Sequence, residues 1–326
     1  MKVHILDDWH DTLRHLPSFG KLAGHEVTIW TDHVADPATL AARLQGAEAL
    51  VLFRERTTIG APLLDRLPDL RLISQRSVYP HVDVPACTRN GVLLCSNMHA
   101  DTPSIATAEL SFGLMIAAAR DLLNQNASLR AGHWQRAPGQ TLAGRTLGLY
   151  GHGRIARQVA GYARAFGMRV IWWGSEAGRL RAVAEGESVA PSREAFFAEA
   201  DFVSIHVRLK PETTGLITRA DLLAMKPTAS FINTSRAALV EPGALRAALA
   251  AGRPARLALD VFDTEPMTDP DDPLVNHPNV IATPHIGYVT EDELDLQFSD
   301  IYEQINAFAA GNPLHMINPE VLEPNV

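Results

Sequence analysis

Residues 145–174 read RTLGLYGHGRIARQVAGYARAFGMRVIWWG, and this stretch decides the fold of the surrounding chain. A short apolar run at its start predicts a buried strand that ends at Gly151. Gly151, Gly153 and Ala156 follow the spacing G-x-G-x-x-[G/A], and they open an amphipathic run that predicts a helix. Residues 169–173 then predict a second strand. The stretch is therefore expected to form a strand, a tight turn, a helix and a strand.

This order of elements is typical of a dinucleotide-binding unit. Gly151 permits the tight turn, and Gly153 lets the backbone approach a pyrophosphate held at the helix N-terminus. Ala156 is small enough for close packing of the helix on the strand. The alternative is a tight turn with a structural role alone, which explains less of the unit.

The composition excludes several classes of protein. A chain of 326 residues is expected to form about two domains. The net charge of −8 argues against a nucleic-acid surface, which depends on neutralising phosphates. The two cysteines, Cys87 and Cys95, lack metal-ligand spacing, so we expect no metal site and a reducing compartment. With no signal peptide at the N-terminus and no apolar run long enough for a bilayer, we expect a cytoplasmic protein without membrane contact.

Outside residues 145–174, short β-prone runs alternate with helical stretches. Before residue 100 these runs are 3–6, 26–30, 49–53, 70–74 and 92–95, and after residue 174 they are 201–206, 229–233, 256–260 and 280–283. Such alternation implies parallel sheets covered on both faces. Thr218 and Asp221 form a capping-box pattern at the start of one predicted helix. The predicted class is α/β, with the glycine-containing unit inserted within another α/β domain.

Polar residues that directly follow the strands are candidates for chemistry, because ligands bind beyond the carboxyl ends of parallel strands. His206 follows one strand and Arg236 comes shortly after the next. Glu265 and His285 follow the last two strands in the same way. Each has a structural alternative: a surface ion pair for Arg236, a solvated acid for Glu265 and a core histidine for His285. An arginine, a carboxylate and a histidine on one edge favour a catalytic site.

Four motifs carry a resemblance to a known family. They are Gly151-His152-Gly153-Arg154-Ile155, Asn233-Thr234-Ser235-Arg236, Asp260-Val261-Phe262 running to Thr264-Glu265-Pro266, and Thr283-Pro284-His285-Ile286-Gly287. In order and spacing the chain resembles the D-isomer-specific 2-hydroxyacid dehydrogenases over nearly its full length. This family includes 3-phosphoglycerate dehydrogenase and glyoxylate/hydroxypyruvate reductase.

The resemblance implies two Rossmann-like domains, each a parallel sheet flanked by helices, with the cofactor domain inserted into the substrate domain. Residues 1–99 and 288–326 would form a flavodoxin-like substrate-binding domain, and residues 100–287 an NAD(P)-binding Rossmann domain. It also implies a homodimer, usually built on the cofactor domains.

The resemblance also assigns catalytic roles. Arg236 would hold the substrate carboxylate and polarise its 2-oxo group. His285 would exchange a proton with the oxygen at C2, and Glu265 would favour the charged imidazole of His285. The nicotinamide would supply the hydride.

The matching positions imply a cofactor site made by the glycine turn and the loops after neighbouring strands. Its residues are Gly151, His152, Gly153, Arg154, Ile155, Gly174, Ser175, His206, Val207, Arg208, Thr234, Ser235, Asp260 and Gly287.

The end of the second strand departs from the NAD-specific pattern, in which an acidic residue binds the ribose hydroxyls. Gly174 stands there, followed by Ser175 and Glu176. Without that acid nothing repels a 2′-phosphate, and Ser175 or Arg208 could bind one. Alternatively, Glu176 holds the ribose hydroxyls and Arg208 is a solvated loop residue. We therefore expect NAD or NADP, with a slight preference for NADP.

The substrate side also departs from the family. Residues 76–79, Arg-Ser-Val-Tyr, replace a glycine-rich loop whose backbone amides hold the carboxylate. Arg54 and Arg56 resemble an Arg-x-Arg-Thr element of some phosphoglycerate dehydrogenases, and with Arg76 they could form a cationic rim for a second anion. Neutralisation by Glu55 and other acids is the alternative, favoured by the acidic composition. The expected substrate-binding residues are Arg54, Arg76, Ser77, Val78, Arg236 and His285.

The leading functional prediction is an NAD(P)-dependent D-2-hydroxyacid dehydrogenase that reduces a small 2-oxoacid such as glyoxylate or hydroxypyruvate. A short-form D-3-phosphoglycerate dehydrogenase is the first alternative. From another class, the family contains corepressors that keep these residues but act by nucleotide-dependent association. Formate dehydrogenase fits less well, because the residues before the histidine motif do not resemble that branch.

Overall fold

A computed structural model describes residues 1–98 and 105–323 of the chain. It divides into two compact units, one formed by Met1–Thr102 with Thr290–Val326 and the other by Pro103–Val289. The predicted domain boundary at residue 99 lies outside the described residues. The two units are termed the first and the second unit, respectively.

The first unit begins with a parallel α/β arrangement. Its elements are β1 (Lys2–Ile5), β2 (Glu26–Ile29), α1 (Pro37–Arg43), β3 (Ala49–Val51), α2 (Ala61–Leu64), β4 (Leu72–Arg76), α3 (Val84–Arg89) and β5 (Leu93–Asn97). The strands form one sheet in the order β2-β1-β3-β4-β5, and every pair is parallel. Asp36 caps α1 as its side chain accepts the backbone N–H of Thr39, with Pro37 in the first turn.

The second unit contains a larger parallel sheet. Its elements are α4 (Ile105–Arg120), α5 (Leu122–Arg130), β6 (Thr146–Tyr150), α6 (Arg154–Ala165), β7 (Arg169–Trp173), α7 (Glu176–Ala184), α8 (Arg193–Glu199), β8 (Phe202–Ile205), α9 (Arg219–Ala224), β9 (Ser230–Asn233), α10 (Ala244–Ala250), β10 (Arg256–Leu259) and β11 (Val280–Ala282). The strand order is β11-β10-β9-β8-β6-β7, all parallel.

Two apolar clusters cover the faces of this sheet. The first contains buried side chains of α4 and α6, among them Met115 and Val159. The second contains side chains of α8, α9 and α10, among them Phe196, Leu222 and Ala248. Burial on both faces explains why the strands read as continuous apolar runs rather than as alternating ones.

The chain returns to the first unit through α11 (Glu291–Ala309). This helix packs on the sheet of the first unit, where Ser74 donates a hydrogen bond to the carbonyl oxygen of Ile301 over 2.8 Å. Gln304 donates to the carbonyl oxygen of Gln75 over 3.0 Å. The predicted fold class is confirmed: two parallel sheets flanked by helices, with the second unit inserted into the first. None of the described helices combines the length and apolar character needed to cross a membrane.

Candidate active site

The glycine turn of the second unit lies between the ends of three adjacent strands. The N–H of Gly151 donates to the carbonyl oxygen of Trp173 over 2.8 Å, which joins the turn to the end of β7. Gly151 has φ +104°, and a Cβ there would lie 2.3 Å from the carbonyl oxygen of His206. Gly153 caps α6 with φ −110°, and a Cβ there would meet no atom within 4 Å. Gly151 is thus required by the backbone conformation and close packing of the turn, whereas Gly153 leaves open space at a helix N-terminus.

His152 points into the protein from between the two glycines. Its side chain is 2% exposed and packs edge-on against Trp172, with ring centroids 4.6 Å apart. A carboxylate oxygen of Glu185 lies 3.5 Å from its Nε2. The backbone of His152, rather than its side chain, is therefore the part placed to contact a ligand. Arg154 is exposed and Ile155 half-buried in the first turn of α6.

The end of β7 leads directly into α7. Gly174 has φ +151° and lies against the turn, since a Cβ there would be 3.4 Å from the backbone nitrogen of Gly151. Ser175 caps α7, as its hydroxyl accepts the N–H of Gly178 over 3.3 Å. Glu176 is exposed in the first helical turn.

His206 follows β8 and is the most strongly perturbed histidine at this edge. Its Nε2 lies 2.9 Å from the hydroxyl of Ser204, while its Nδ1 is buried and has no hydrogen-bond partner among the described residues. Burial lowers the pKa of His206 to about 4, so the ring is neutral at ordinary pH. Val207 is half-buried and Arg208 is exposed.

The loop after β9 presents Arg236. The side chain of Asn233 accepts the N–H of Ser235 and donates to the carbonyl oxygen of Arg236, both over 3.0 Å. Ser235 donates its hydroxyl to the carbonyl oxygen of Ile205, which ties this loop to the end of β8. The hydroxyl of Thr234 lies 2.7 Å from that of Ser111. These bonds orient the turn that carries Arg236.

Asp260 shapes the loop that carries His285. Its buried carboxylate accepts hydrogen bonds from the hydroxyl of Thr283 and from the N–H groups of Ile286 and Gly287, over 2.6, 2.9 and 2.8 Å. Burial raises the pKa of Asp260 although these bonds act in the opposite direction. His285, in the middle of the loop, has φ +53°, a conformation that a side chain-bearing residue adopts only when its surroundings enforce it.

His285 and Glu265 form a hydrogen-bonded pair. The Nδ1 of His285 lies 2.6 Å from one carboxylate oxygen of Glu265, and the other oxygen accepts the N–H of Phe262 over 2.8 Å. Burial raises the pKa of Glu265, but the net effect of its surroundings is to lower this pKa below its ordinary value. The lowering comes from the hydrogen bond and charge of His285, the N–H of Phe262 and the charge of Arg236. Glu265 is thus a carboxylate at neutral pH. The ring of Tyr288 lies edge-on to His285, with centroids 5.7 Å apart.

These contacts bring together Arg236, Glu265 and His285, whose predicted catalytic roles stay predictions. Because Glu265 is bonded to Nδ1, Nε2 is the nitrogen of His285 that can exchange a proton with another molecule. The arrangement offers a fixed cation, a proton donor and a carboxylate that orients the donor. Thr283 and Tyr288 were not among the predicted site residues. Their adjacency to Asp260 and His285 depends on the folded loop, although both lie within two to three residues of His285 in sequence.

In the first unit, the predicted substrate residues follow β3 and β4. Arg76 is 6% exposed, and its Nε lies 3.1 Å from a carboxylate oxygen of Asp300. Gln75 donates to the carbonyl oxygens of Ser77 and Val78 over 3.0 and 3.3 Å. Ser77 has φ +75° and its own N–H donates to the carbonyl oxygen of Asn97. The loop is therefore held from within the first unit.

Arg54 and Arg56 follow β3 in different settings. Arg54 is half-buried with φ +59°. Arg56 donates to the carbonyl oxygen of Asp7 over 2.6 Å, and its guanidinium lies 4.0 and 3.9 Å from the ring centroids of Trp9 and Phe53. The sequence offered no sign of this pairing, because Asp7 and Trp9 lie more than forty residues away.

Comparisons with known proteins show the family. The model described as D-isomer specific 2-hydroxyacid dehydrogenase, NAD binding domain, matches residues 112–287. The chain is 34% identical to a glyoxylate reductase of Thermococcus litoralis, covering 91% of this chain and 92% of that protein. It is also 34% identical to a D-3-phosphoglycerate dehydrogenase of Methanocaldococcus jannaschii, covering 95% of this chain but 58% of that protein.

Solved structures show the same relationship. An oxidoreductase of Ralstonia solanacearum is 43% identical, with a TM-score of 0.95 and coverage of 99% of this chain and 98% of that chain. A phosphoglycerate oxidoreductase of Vibrio cholerae is 44% identical, with a TM-score of 0.90 and coverage of 95% and 99%. The chain therefore belongs to the D-isomer specific 2-hydroxyacid dehydrogenase family and is an NAD-dependent oxidoreductase that acts on the CH–OH group of a 2-hydroxyacid.

Proposed function

We propose that the chain reduces the 2-oxo group of a small unphosphorylated 2-oxoacid, of the glyoxylate or hydroxypyruvate class, with NADPH preferred to NADH. The observation that carries the proposal is the 2.6 Å pair of His285 and Glu265 within electrostatic reach of Arg236. Only turnover requires an arginine, a carboxylate and a histidine in this arrangement, whereas a nucleotide-sensing protein needs none of them.

The residues at the glycine turn fit a dinucleotide. A Cβ at Gly153 would enter open space at the start of α6, which is where a pyrophosphate would approach the backbone N–H groups. The buried Nδ1 of His206 is a polar atom that lacks a partner among the described residues. In the proposal, the turn holds the pyrophosphate, while His206, Val207, Thr234 and Ser235 line the remainder of the cofactor site.

In the proposed mechanism the bound nicotinamide supplies the hydride to C2 of the substrate. Arg236 binds the carboxylate and polarises the 2-oxo group. The Nε2 of His285 donates a proton to the oxygen at C2, and Glu265 holds the ring through Nδ1 and stabilises its charged form. Asp260 acts indirectly, as a positioning residue, because its three hydrogen bonds hold the loop on which His285 lies.

The setting of the arginines in the first unit supports a substrate without a phosphate. Arg76 is buried beside Asp300, and Arg56 is engaged by Asp7, Trp9 and Phe53. Arg56 and Arg76, which belong to the expected cationic rim, thus have structural contacts within the first unit. In the proposal, Arg54, Ser77 and Val78 remain substrate-binding residues, and Arg76 supports their loop.

A short-form D-3-phosphoglycerate dehydrogenase is the second candidate. It is favoured by the phosphoglycerate oxidoreductase of Vibrio cholerae, which is 44% identical over 95% of this chain. It would require Arg54 or the exposed side of Arg56 to receive a phosphate.

We also propose a homodimer built on the second unit and a cytoplasmic location. The dimer is supported by large apolar side chains that the second unit exposes on and after α5. Trp134 is 76% exposed and Leu129 58% exposed, and Leu122 and Leu123 are about half exposed. Exposed apolar groups of this size are typical of protein contacts.

Side-by-side oxidation of NADH and NADPH with glyoxylate, hydroxypyruvate and phosphohydroxypyruvate tests the function. We expect turnover with the two unphosphorylated acids, faster with NADPH. His285→Ala is the matched control: it should lower kcat by about 10²- to 10⁴-fold while nucleotide affinity stays unchanged. Preference for phosphohydroxypyruvate would favour the second candidate. Nucleotide binding without any turnover would contradict the proposal and favour a binding protein.

A further inference from the structure

Arg179 is a charged residue of the second unit that is not among the predicted cofactor-binding residues. It lies one turn into α7, the helix that follows β7 directly. Its guanidinium carbon is 4.3 Å from the ring centroid of Trp173, the last residue of β7. The Nε of Arg179 is buried and has no hydrogen-bond partner among the described residues. The tryptophan therefore holds the guanidinium group in place, while part of its donor capacity is unused.

Two other arginines of the second unit have carboxylate partners, whereas Arg179 has none among the described residues. Arg157 lies 3.2 Å from a carboxylate oxygen of Glu185, and Arg193 lies 2.6 Å from one of Asp221. Within residues 1–98 and 105–323, no carboxylate lies at ion-pair distance from Arg179. A partly buried cation without an anion is unfavourable, because it loses hydration and gains no compensating charge. An anionic ligand would supply the missing partner.

The position of Arg179 indicates which anion that is. The residue after Trp173 is Gly174, which lies against the backbone of Gly151 in the glycine turn. Arg179 also acts on the end of β6: burial raises the pKa of Tyr150, and the charges of Arg193 and Arg179 counteract the rise. Arg179 is thus close to the ends of β6 and β7. In a dinucleotide-binding sheet, the adenosine ribose binds beside the residue that ends the second strand.

We propose that Arg179 binds the 2′-phosphate of NADP(H) and is the residue that sets the cofactor preference. The inference rests on the proposed function, which includes the preference for NADPH, and it identifies a residue responsible for it. A phosphate monoester presents oxygens that match the planar donors of a guanidinium group. Trp173 orients the group before the ligand arrives, which limits the side-chain entropy lost on binding. Ser175 at the N-cap of α7 contributes a hydroxyl close by.

A different role is stacking of Arg179 on the adenine ring, which would serve NADH and NADPH equally. A 2′-phosphate ligand instead requires that loss of the charge affects NADPH alone. Direct binding separates these roles because NADH and NADPH differ only in this phosphate.

Calorimetric titration of Arg179→Gln with NADPH and with NADH tests the proposal. We expect the NADPH dissociation constant to rise about tenfold or more and the NADH constant to change less than about twofold. Arg179→Lys should restore part of the NADPH affinity, since it keeps the charge. Arg219→Gln removes an exposed arginine of α9 and should leave both affinities unchanged. Unchanged thermal unfolding of Arg179→Gln would show that it folds.

Three outcomes would overturn the proposal. Arg179→Gln could lose equal affinity for both nucleotides, or it could lose affinity for neither. The third outcome is that Arg181→Gln, rather than Arg179→Gln, loses affinity for NADPH alone. Because binding is measured without substrate, the result is independent of turnover. A wild-type chain that binds NADPH through Arg179 but reduces no 2-oxoacid would contradict the proposed reaction and leave this inference intact. A wild-type chain that reduces glyoxylate but binds NADH more tightly would contradict the inference and the proposed NADPH preference, and would leave the proposed reduction of a 2-oxoacid intact.

Discussion

Gly151 and Gly153 lie two residues apart in one turn, but the chain needs them for different reasons. At Gly151 a Cβ would lie 2.3 Å from the carbonyl oxygen of His206 and 2.9 Å from its carbon, and φ is +104°. Neither backbone atom can rotate away as a side chain could. At Gly153 φ is −110° and a Cβ would meet no atom within 4 Å, so the fold itself tolerates a larger residue.

Gly151→Ala and Gly153→Ala should therefore separate stability from ligand binding. We expect Gly151→Ala to lower the free energy of unfolding by roughly 2–4 kcal/mol, because a backbone clash adds to a strained φ. Gly153→Ala should change it by less than about 1 kcal/mol, yet weaken nucleotide binding because the methyl group enters the space for the pyrophosphate. Urea unfolding and nucleotide titration of both variants provide the measurements. Equal stability of the two variants would contradict the assignment.

At the scale of elements, Asp221 joins α8 to α9. Its carboxylate accepts the N–H and the hydroxyl of Thr218, both over 2.7 Å, and two donors of Arg193 over 2.7 and 2.6 Å. Thr218 in turn accepts the N–H of Asp221, so the capping box predicted from sequence is present. The bond to Arg193, which begins α8, depends on how the two helices pack.

The hydrogen bonds of Asp221 at this junction should make the stability of the protein depend on pH. Burial raises the pKa of Asp221, but the bonds from Arg193 and Thr218 and the charge of Arg193 lower it overall. A carboxylate whose pKa is lower in the folded chain than in the unfolded chain stabilises the fold at pH values above the unfolded pKa of about 3.9. This stabilisation is lost as pH falls through the folded-state pKa. Asp221→Asn should thus cost about 3 kcal/mol at pH 7. The difference from wild type should shrink below about pH 4.

Thermal unfolding of wild type and Asp221→Asn between pH 7 and pH 3 measures the effect. Asp271→Asn is a suitable control, since Asp271 is exposed and lies outside α8 and α9. A stability difference that stays constant down to pH 3 would show that the carboxylate charge is not what stabilises the junction.

At the scale of the whole molecule, the open question is what covers the apolar side chains around α5. That helix has no buried residue, although it carries Leu122, Leu123 and Leu129. An amphipathic helix normally buries its apolar residues against the rest of its chain. In the proposed homodimer, a second copy covers them.

The double variant Leu129→Asp/Trp134→Asp should be monomeric. Light scattering should give about twice the 35.5 kDa chain mass for wild type and the chain mass for the variant, because charges placed in an apolar contact cannot be desolvated cheaply. Leu180→Asp is the control: Leu180 is 63% exposed on α7 and should not affect assembly. A monomeric wild type, or a variant that remains a dimer, would contradict the proposed face.

Much of the fold could be predicted because its signals are local. The G-x-G-x-x-A spacing, the cap at Asp36 and the capping box at Thr218 act within a few residues, and each is found in the structure. The position of a residue directly after a parallel strand also identifies the ligand edge, since all carboxyl ends meet there. This position after a strand identifies Arg236, Glu265 and His285 as candidates.

The sequence by itself determined the α/β class, the insertion of one unit into the other and the edge on which polar residues collect, because apolar runs, caps and glycine spacing express short-range physics. Only the tertiary structure decided how those residues are used. It buries Arg76 beside Asp300 and engages Arg56 with Asp7 and Trp9. Among the described residues, it also leaves Arg179 without a carboxylate at ion-pair distance, while Arg157 and Arg193 are paired. The reason is that a charge is neutralised by whichever groups the fold brings within a few ångströms, and those groups come from distant parts of the chain.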